Sequence, residues 1–585
     1  MWAKWGKMPP MNRIALFLSL IGLLGGCAPV QTPVSSSVLE KAPAQTQMSP
    51  QLMYQILLVE LLAQRGDHQA AFKRLQPLVE KYRDPALAQR LFQLSMQTYQ
   101  LAAIETAARL WHAVAPDNPT PLRALWLLKL RQGDVDAALA LFDRYQQVTP
   151  EPLTQDLQRA AERVVGAIER KYAIAFAQAL RQHYDTWAAD LASGIILLGQ
   201  EKPADALTAL EAALQKGGDA RLIYPQMARA YLGMGQVQTG LKRLKDYVMR
   251  HPDHWQVQAE YARLQVEAGD FAAAEQRFKQ VLKIRPDADV ARLALGLLQF
   301  EQGKLEAAAA QLVQLLRNPV TQSVAAYYLG RIHEQLNRLD QAVHYYAQVR
   351  PSQYRLPAQL RIVDIVYRLK GLDAALARLA RLSAQNDRQQ VQLLLTRASL
   401  YARAGQRALA LKVADKILAH KGADRDLLMQ LASVLYELKA DARYERALRR
   451  VLARFPEDAD ALNALGYFYV ERNRNLDEAE KLLFKAIELK PDAFYIEDSI
   501  GWYFWRKGAL QKAAQWLRRA LSRQVDAEVL AHLLQVEAAR GRWDEVSALR
   551  EQYRTLFEQD DMLKALWRRI EREMSQAAPS APVAK

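Results

Sequence analysis

The chain of 585 residues holds a single cysteine, Cys27. No intramolecular disulfide can form, and no thiolate cluster can hold a metal. Glycine and proline are both sparse, at 25 and 24 residues, which excludes collagen-like and low-complexity chains. Long apolar runs are missing too. The longest, Ile14–Leu24, has eleven residues, about half of the roughly twenty that a membrane-spanning helix needs. Catalytic signatures are absent: there is no GxSxG, HExxH, Walker A or CxxC. His333-Glu334 opens a zinc-type pattern whose second histidine is missing, and the nine histidines are scattered without ligand spacing. GMGQVQTG at 233–240 has glycines like those of a dinucleotide loop but no strand before it. Acidic pairs such as Asp477-Glu478 stand at helix starts, where the helix dipole favours them. These absences point away from an enzyme, and neither a cofactor nor a metal is expected.

What remains is a chain with half its residues apolar and 24% charged, as in ordinary globular proteins. Alanine, leucine, glutamine and arginine dominate, and all are helix formers. Length alone would allow about four domains. The net charge of +16 favours acidic partners: nucleic acid, anionic lipid, acidic glycan or an acidic protein.

The N-terminus narrows that choice. Arg13 precedes the apolar run, which ends in Leu24-Gly25-Gly26-Cys27. An eleven-residue core suits a signal peptide, and small residues before a cysteine resemble a bacterial lipobox. The resemblance implies that 1–26 is a lipoprotein signal peptide and that Cys27 is lipidated. Acyl chains contribute about 0.8 kcal/mol per buried CH₂. Ala28, where an Asp would signal retention in the inner membrane, implies the outer membrane, with the body facing the periplasm. Residues 1–10 do not look like a signal start, which places the expected initiator at Met8 or Met11. Residues 27–50 have the Pro, Ser, Thr, Ala and Gln content of a flexible linker, and 575–585 read as a disordered tail.

The body repeats. Gly194, Ala228, Ala262, Gly296, Gly330, Ala398, Ala432, Gly466 and Gly501 keep a spacing of 34, with one position skipped at Asp364 and a last step of 35. A second set twelve residues later keeps the same frame: Ala206, Gly240, Ala274, Ala308, Ala342 and Ala410. Prolines such as Pro252, Pro286, Pro456 and Pro491 close units, and glycines such as Gly235, Gly269, Gly303 and Gly508 fall midway. This pattern resembles the tetratricopeptide repeat, in which each unit is a pair of antiparallel helices. The expected fold is all-α, a superhelical solenoid of about fifteen helix pairs, some degenerate. The expected divisions are N-terminal repeats over 51–150, a degenerate joint at 151–186, a regular solenoid over 187–560 and a terminal helix at 561–574.

The resemblance implies a concave groove lined by the first helix of each pair, notably at its fifth, ninth and twelfth positions. The ninth position holds Arg229, Arg263 and Arg331, with Leu297 interrupting. Three guanidiniums on one line would receive carboxylates bidentately. Near the C-terminus the same positions give Asn463, Tyr467, Asp498, Trp502 and Trp505, and Trp and Tyr are common interface anchors.

The block 458–543, with Asn463-Ala464-Leu465-Gly466-Tyr467 and Asp498-Ser499-Ile500-Gly501-Trp502, is similar to a group of proteobacterial lipoproteins. These are adaptors of a periplasmic carboxyl-terminal processing protease. That resemblance implies a scaffold which binds the serine protease and presents peptidoglycan hydrolases for degradation. The rival reading is a lipoprotein scaffold of an exopolysaccharide export or outer-membrane assembly complex. A periplasmic location argues against nucleic acid as a partner. The sequence leaves a homo-oligomer open.

Overall fold

The computed structural model describes residues 49–577. Cys27, the signal segment, almost all of the 27–50 linker and most of the 575–585 tail lie outside the described residues. Among those described there are 32 α-helices, one short 3₁₀ turn at Val313–Arg317 and no strand. No described helix is long and apolar enough to cross a membrane. The chain divides into two compact units, one ending at Ile332 and the other beginning at His333.

In both units consecutive helices, joined by short turns, pack against each other. The second unit shows how the residues build this. Its first-of-pair helices include Arg425–Glu437, Ala459–Glu471, Phe494–Arg506 and Ala527–Ala539. Asp424, Asp458 and Asp526 cap three of them, each side chain accepting from a backbone N–H two or three residues on. The second-of-pair helices Asp441–Arg454 and Leu476–Leu489 stop just before Pro456 and Pro491, which cannot continue a helix.

The ladder of small residues marks where the two helices of a pair touch. A Cβ on Gly466 would lie 2.8 Å from the Leu483 side chain, and one on Gly501 would lie 2.6 Å from that of Leu517. Around these contacts runs an apolar core that includes Leu465, Phe468, Leu483, Ile500 and Tyr503. A second core, including Leu517, Leu533 and Val546, continues it to Trp567 on the last helix, Asp561–Ala577.

The 151–186 stretch lacks the small-residue ladder but is still helical, over Leu153–Val164 and Arg170–His183. Large aromatics fill the space there. Phe176 lies nearly parallel to Trp126 at 5.9 Å, and Phe142 meets the same indole edge-on at 5.5 Å.

Candidate protein-binding groove

In the first unit the arginine line is already occupied from within. Arg229 stands on Ala220–Gly233, Arg263 on Trp255–Glu267 and Arg331 on Gln322–Gln335. Arg263 is buried and its Nη1 donates to Glu260 Oε2 at 2.7 Å. Arg229 Nη2 lies 3.7 Å from the other oxygen of the same carboxylate, and its Nη1 donates to Gln226 at 3.4 Å. Two guanidiniums thus share one carboxylate, so this trio presents a single net positive charge. Arg331 is placed differently, with its guanidinium 4.7 Å from the centre of the Phe300 ring and 5.5 Å from that of Tyr328. Nearby, burial pushes the Glu267 carboxyl above its ordinary range, and Arg263 partly opposes this. The structure therefore brings Arg229 and Arg263 together on Glu260 and gives Arg331 an aromatic seat.

The second unit gathers its candidates more tightly. Asn463 and Tyr467 sit one turn apart on Ala459–Glu471 and are both buried. Asp498, Trp502 and Trp505 share Phe494–Arg506. The next first-of-pair helix adds His532, which lies 34 residues after Asp498 in the sequence. Its Nδ1 is 2.8 Å from Asp498 Oδ1, and both side chains are buried. The Trp502 ring stacks on His532 at 4.1 Å and 21°, and Trp505 stacks on Trp502 at 5.7 Å and 13°. Both indoles are partly buried against the two apolar cores and remain partly open to solvent. Trp516 packs from the second-of-pair side, meeting Phe484 edge-on at 6.2 Å.

Acid groups surround this platform. Burial, followed by the nearby carboxylates of Glu528, Asp498 and Glu471, holds the Tyr467 hydroxyl in its protonated form well above the ordinary range. Tyr436 donates to Glu471 Oε2 at 2.6 Å, and burial together with that acceptor pushes its hydroxyl up as well. Asn463 Oδ1 is buried with no hydrogen-bond partner. An acceptor left so costs about 1–3 kcal/mol. No group of three His, Cys, Asp or Glu side chains among the described residues is placed to hold a metal ion.

The sequence pattern pointed to Asn463, Tyr467, Asp498, Trp502 and Trp505, and the structure places all five on two successive first-of-pair helices. It missed His532, Glu471, Glu528, Tyr436 and, in the first unit, Glu260. The 34-residue step from Asp498 would have found His532.

Tetratricopeptide-repeat profiles match residues 173–221, 226–289 and 437–494, and a second profile of the same description matches 265–323. The chain is 36% identical over 537 residues to the TPR repeat-containing protein PA4667 of Pseudomonas aeruginosa, covering 89% of this chain and 90% of that protein. Among solved structures, the pentatricopeptide repeat protein PPR10 from maize aligns over 91% of this chain and 93% of its own, at 13% identity and a TM-score of 0.40. A tetratricopeptide repeat protein from Parabacteroides merdae aligns over 48% of this chain and 98% of its own, at 16% identity and a TM-score of 0.32. Repeats of this kind serve as scaffolds for protein partners, and the chain belongs to the tetratricopeptide-repeat family.

Proposed function

We propose that the protein is a non-enzymatic scaffold, anchored to the outer membrane through lipid on Cys27. In this reading it holds a periplasmic carboxyl-terminal processing protease and presents peptidoglycan hydrolases to it. The observation that carries a partner-binding role is the Trp502–Trp505 stack, partly open beside the buried Asp498–His532 pair. Rigid aromatic anchors next to a satisfied polar pair are typical of interface centres. The lipobox-like Leu24–Cys27 and the similarity of the 458–543 block to the adaptor group support the compartment and the partner. The mechanism is tethering. Holding protease and substrate on one body turns a bimolecular encounter into an effectively intramolecular one. The bond-cutting groups belong to the protease.

The test uses a tagged chain from Ala28 onward, mixed with periplasmic extract of its own host, with retained proteins identified. A carboxyl-terminal processing protease and cell-wall hydrolases are expected, lost or weakened at least tenfold in Trp502→Ala or Trp505→Ala. Recovery of a β-barrel or export components without a protease would replace this reading with the export scaffold.

A further inference from the structure

The groove of the second unit gathers carboxylates in a basic chain, one of them, Glu471, already 3.2 Å from Arg472 Nη1. The whole protein carries +16, yet the carboxylates of Glu528, Asp498 and Glu471 all bear on the Tyr467 hydroxyl. Three independent features meet there. The first is that set of carboxylates. The second is the parallel indole pair of Trp502 and Trp505 at 5.7 Å. The third is the buried Asn463 Oδ1, an acceptor with no donor, on a side chain only 3% exposed. All three ask for the same thing. Carboxylates and an orphan amide oxygen accept hydrogen bonds, and indole faces attract cations. Arg506 already approaches the Trp502 ring to 5.7 Å.

We propose that this groove seats a cationic side chain, arginine or lysine, from a segment of a protein partner. The side chain lies against the indoles of Trp502 and Trp505, and Asp498, Glu471 and Glu528 balance its charge. This rests on reading the groove as the partner-binding surface. An acidic segment would meet these carboxylates, although Arg472 already lies 3.2 Å from Glu471 and His532 2.8 Å from Asp498, and an apolar one would leave Asn463 Oδ1 without a donor. A guanidinium has five N–H donors and no acceptor, which suits a wall made of acceptors.

The test is fluorescence anisotropy on the chain from Ala28 onward. The probe is a labelled nonapeptide, Gly-Ser-Ala-Arg-Ala-Arg-Ala-Ser-Gly, with versions carrying citrulline or glutamate in place of arginine. The chain from Ala28 onward stays strongly basic, since only Lys4, Lys7 and Arg13 are removed from a chain of +16, and its long-range attraction favours the glutamate peptide, so preference for arginine can only come from a local site. The arginine peptide is expected to bind at least tenfold more tightly than the citrulline peptide, and the glutamate peptide more weakly still. Asp498→Asn should cut arginine-peptide affinity at least tenfold and narrow the arginine–citrulline ratio. Trp505→Ala should weaken the arginine peptide more than the citrulline peptide. If Asp498→Asn lowers the thermal midpoint, Glu471→Gln serves as the charge variant.

Equal binding of arginine and citrulline peptides would overturn the inference. So would binding of none of them, or arginine binding that neither charge variant alters. The outcome is separable from the wider reading. If Trp502→Ala still sheds the periplasmic partners while the peptides are not discriminated, the groove binds partners without selecting for charge. If partners are retained by every groove variant, the groove itself is the wrong surface.

Discussion

A methyl group at position 501 has nowhere to go. Its Cβ would fall 2.6 Å from Leu517 Cγ and 3.3 Å from the Ala513 carbonyl, and Leu517 is fully buried. Overpacking of this kind costs about 1–3 kcal/mol, while alanine's better helix propensity returns up to about 1 kcal/mol. Gly501→Ala should therefore lose about 1–2 kcal/mol in a denaturant titration. Gly508 is a different case. Nothing lies within 4 Å of a Cβ built there, but its φ is +74°, so Gly508→Ala should lose about 1 kcal/mol through backbone strain alone. The two glycines look alike in sequence, yet the 34-residue frame tells them apart, one on the ladder and one at the turn. The same frame made Asp498 and Trp502 legible. It hid His532 because Gln535 stands where earlier repeats place Gly or Ala, so the ladder of small residues ends at Gly501. Glu260 was invisible for another reason. It lies three residues before Arg263, off the ninth-position line, and only the folded pair of helices brings Arg229 to it.

Between elements, polar ties join what the small-residue ladder does not. Glu275, on Phe271–Ile284, receives Lys279 at 2.8 Å, Lys304 at 2.6 Å and Gln299 at 3.2 Å. Burial alone would raise its carboxyl, but these three donors outweigh it and lower the value to about 2. An acid depressed in the folded state contributes stability that is present above its unfolded value, about 4.3, and is lost as pH falls towards 2. Both lysines are half exposed, so screening reduces the effect to about 1–2 kcal/mol. Glu275→Gln should be less stable than the parent by that amount at pH 7, and the two denaturant midpoints should converge below about pH 4.

A second tie is deeper. Glu497 is fully buried and takes Arg519 Nε at 2.6 Å and Arg523 Nε at 2.8 Å. Glu497→Ala takes the carboxylate from Arg519 and leaves Arg523 with Asp492 alone, at 2.5 Å; both guanidiniums can partly swing to water, and a loss of about 1–3 kcal/mol is expected in the same titration. Neither tie is written in the repeat pattern, because each joins different helices through side chains that the period does not constrain. The 35-residue step is half legible. The extra residue shows in the spacing, but that Asn475 takes a left-handed φ of 50° beyond the usual turn residue, here Asn473, appears only in the backbone. The 151–186 stretch teaches the converse. It lacks the 34-residue ladder, yet its helices pack into a core where Trp126 and Phe176 stack beside the buried Ala160, Ala161, Ala173 and Ala177.

Over the whole molecule the repeat architecture limits how far any of these effects can travel. In a stack where each pair touches only its neighbours, stability is approximately a sum of pair terms and nearest-neighbour terms. A defect at Gly501 weakens the contact with Leu517, then the two cores that run through Ile500 and Leu517. Beyond these the coupling passes only from pair to pair. The two compact units, divided between Ile332 and His333, then respond unequally. Hydrogen exchange followed by mass spectrometry on Gly501→Ala should show faster exchange in peptides from about 459 to 552. Peptides from 50–332 should exchange as in the parent. The reason is energetic: local openings draw on the stability of the pairs that open, and pairs many repeats away contribute nothing to that opening. Uniform acceleration along the chain would instead mean that all the pairs unfold in a single cooperative step, and the nearest-neighbour account would fail for this protein. The same locality bears on function. Trp502, Asp498 and His532 all fall inside the softened region, so Gly501→Ala should also weaken partner retention without touching the groove, while leaving the Arg229–Glu260–Arg263 trio of the first unit intact.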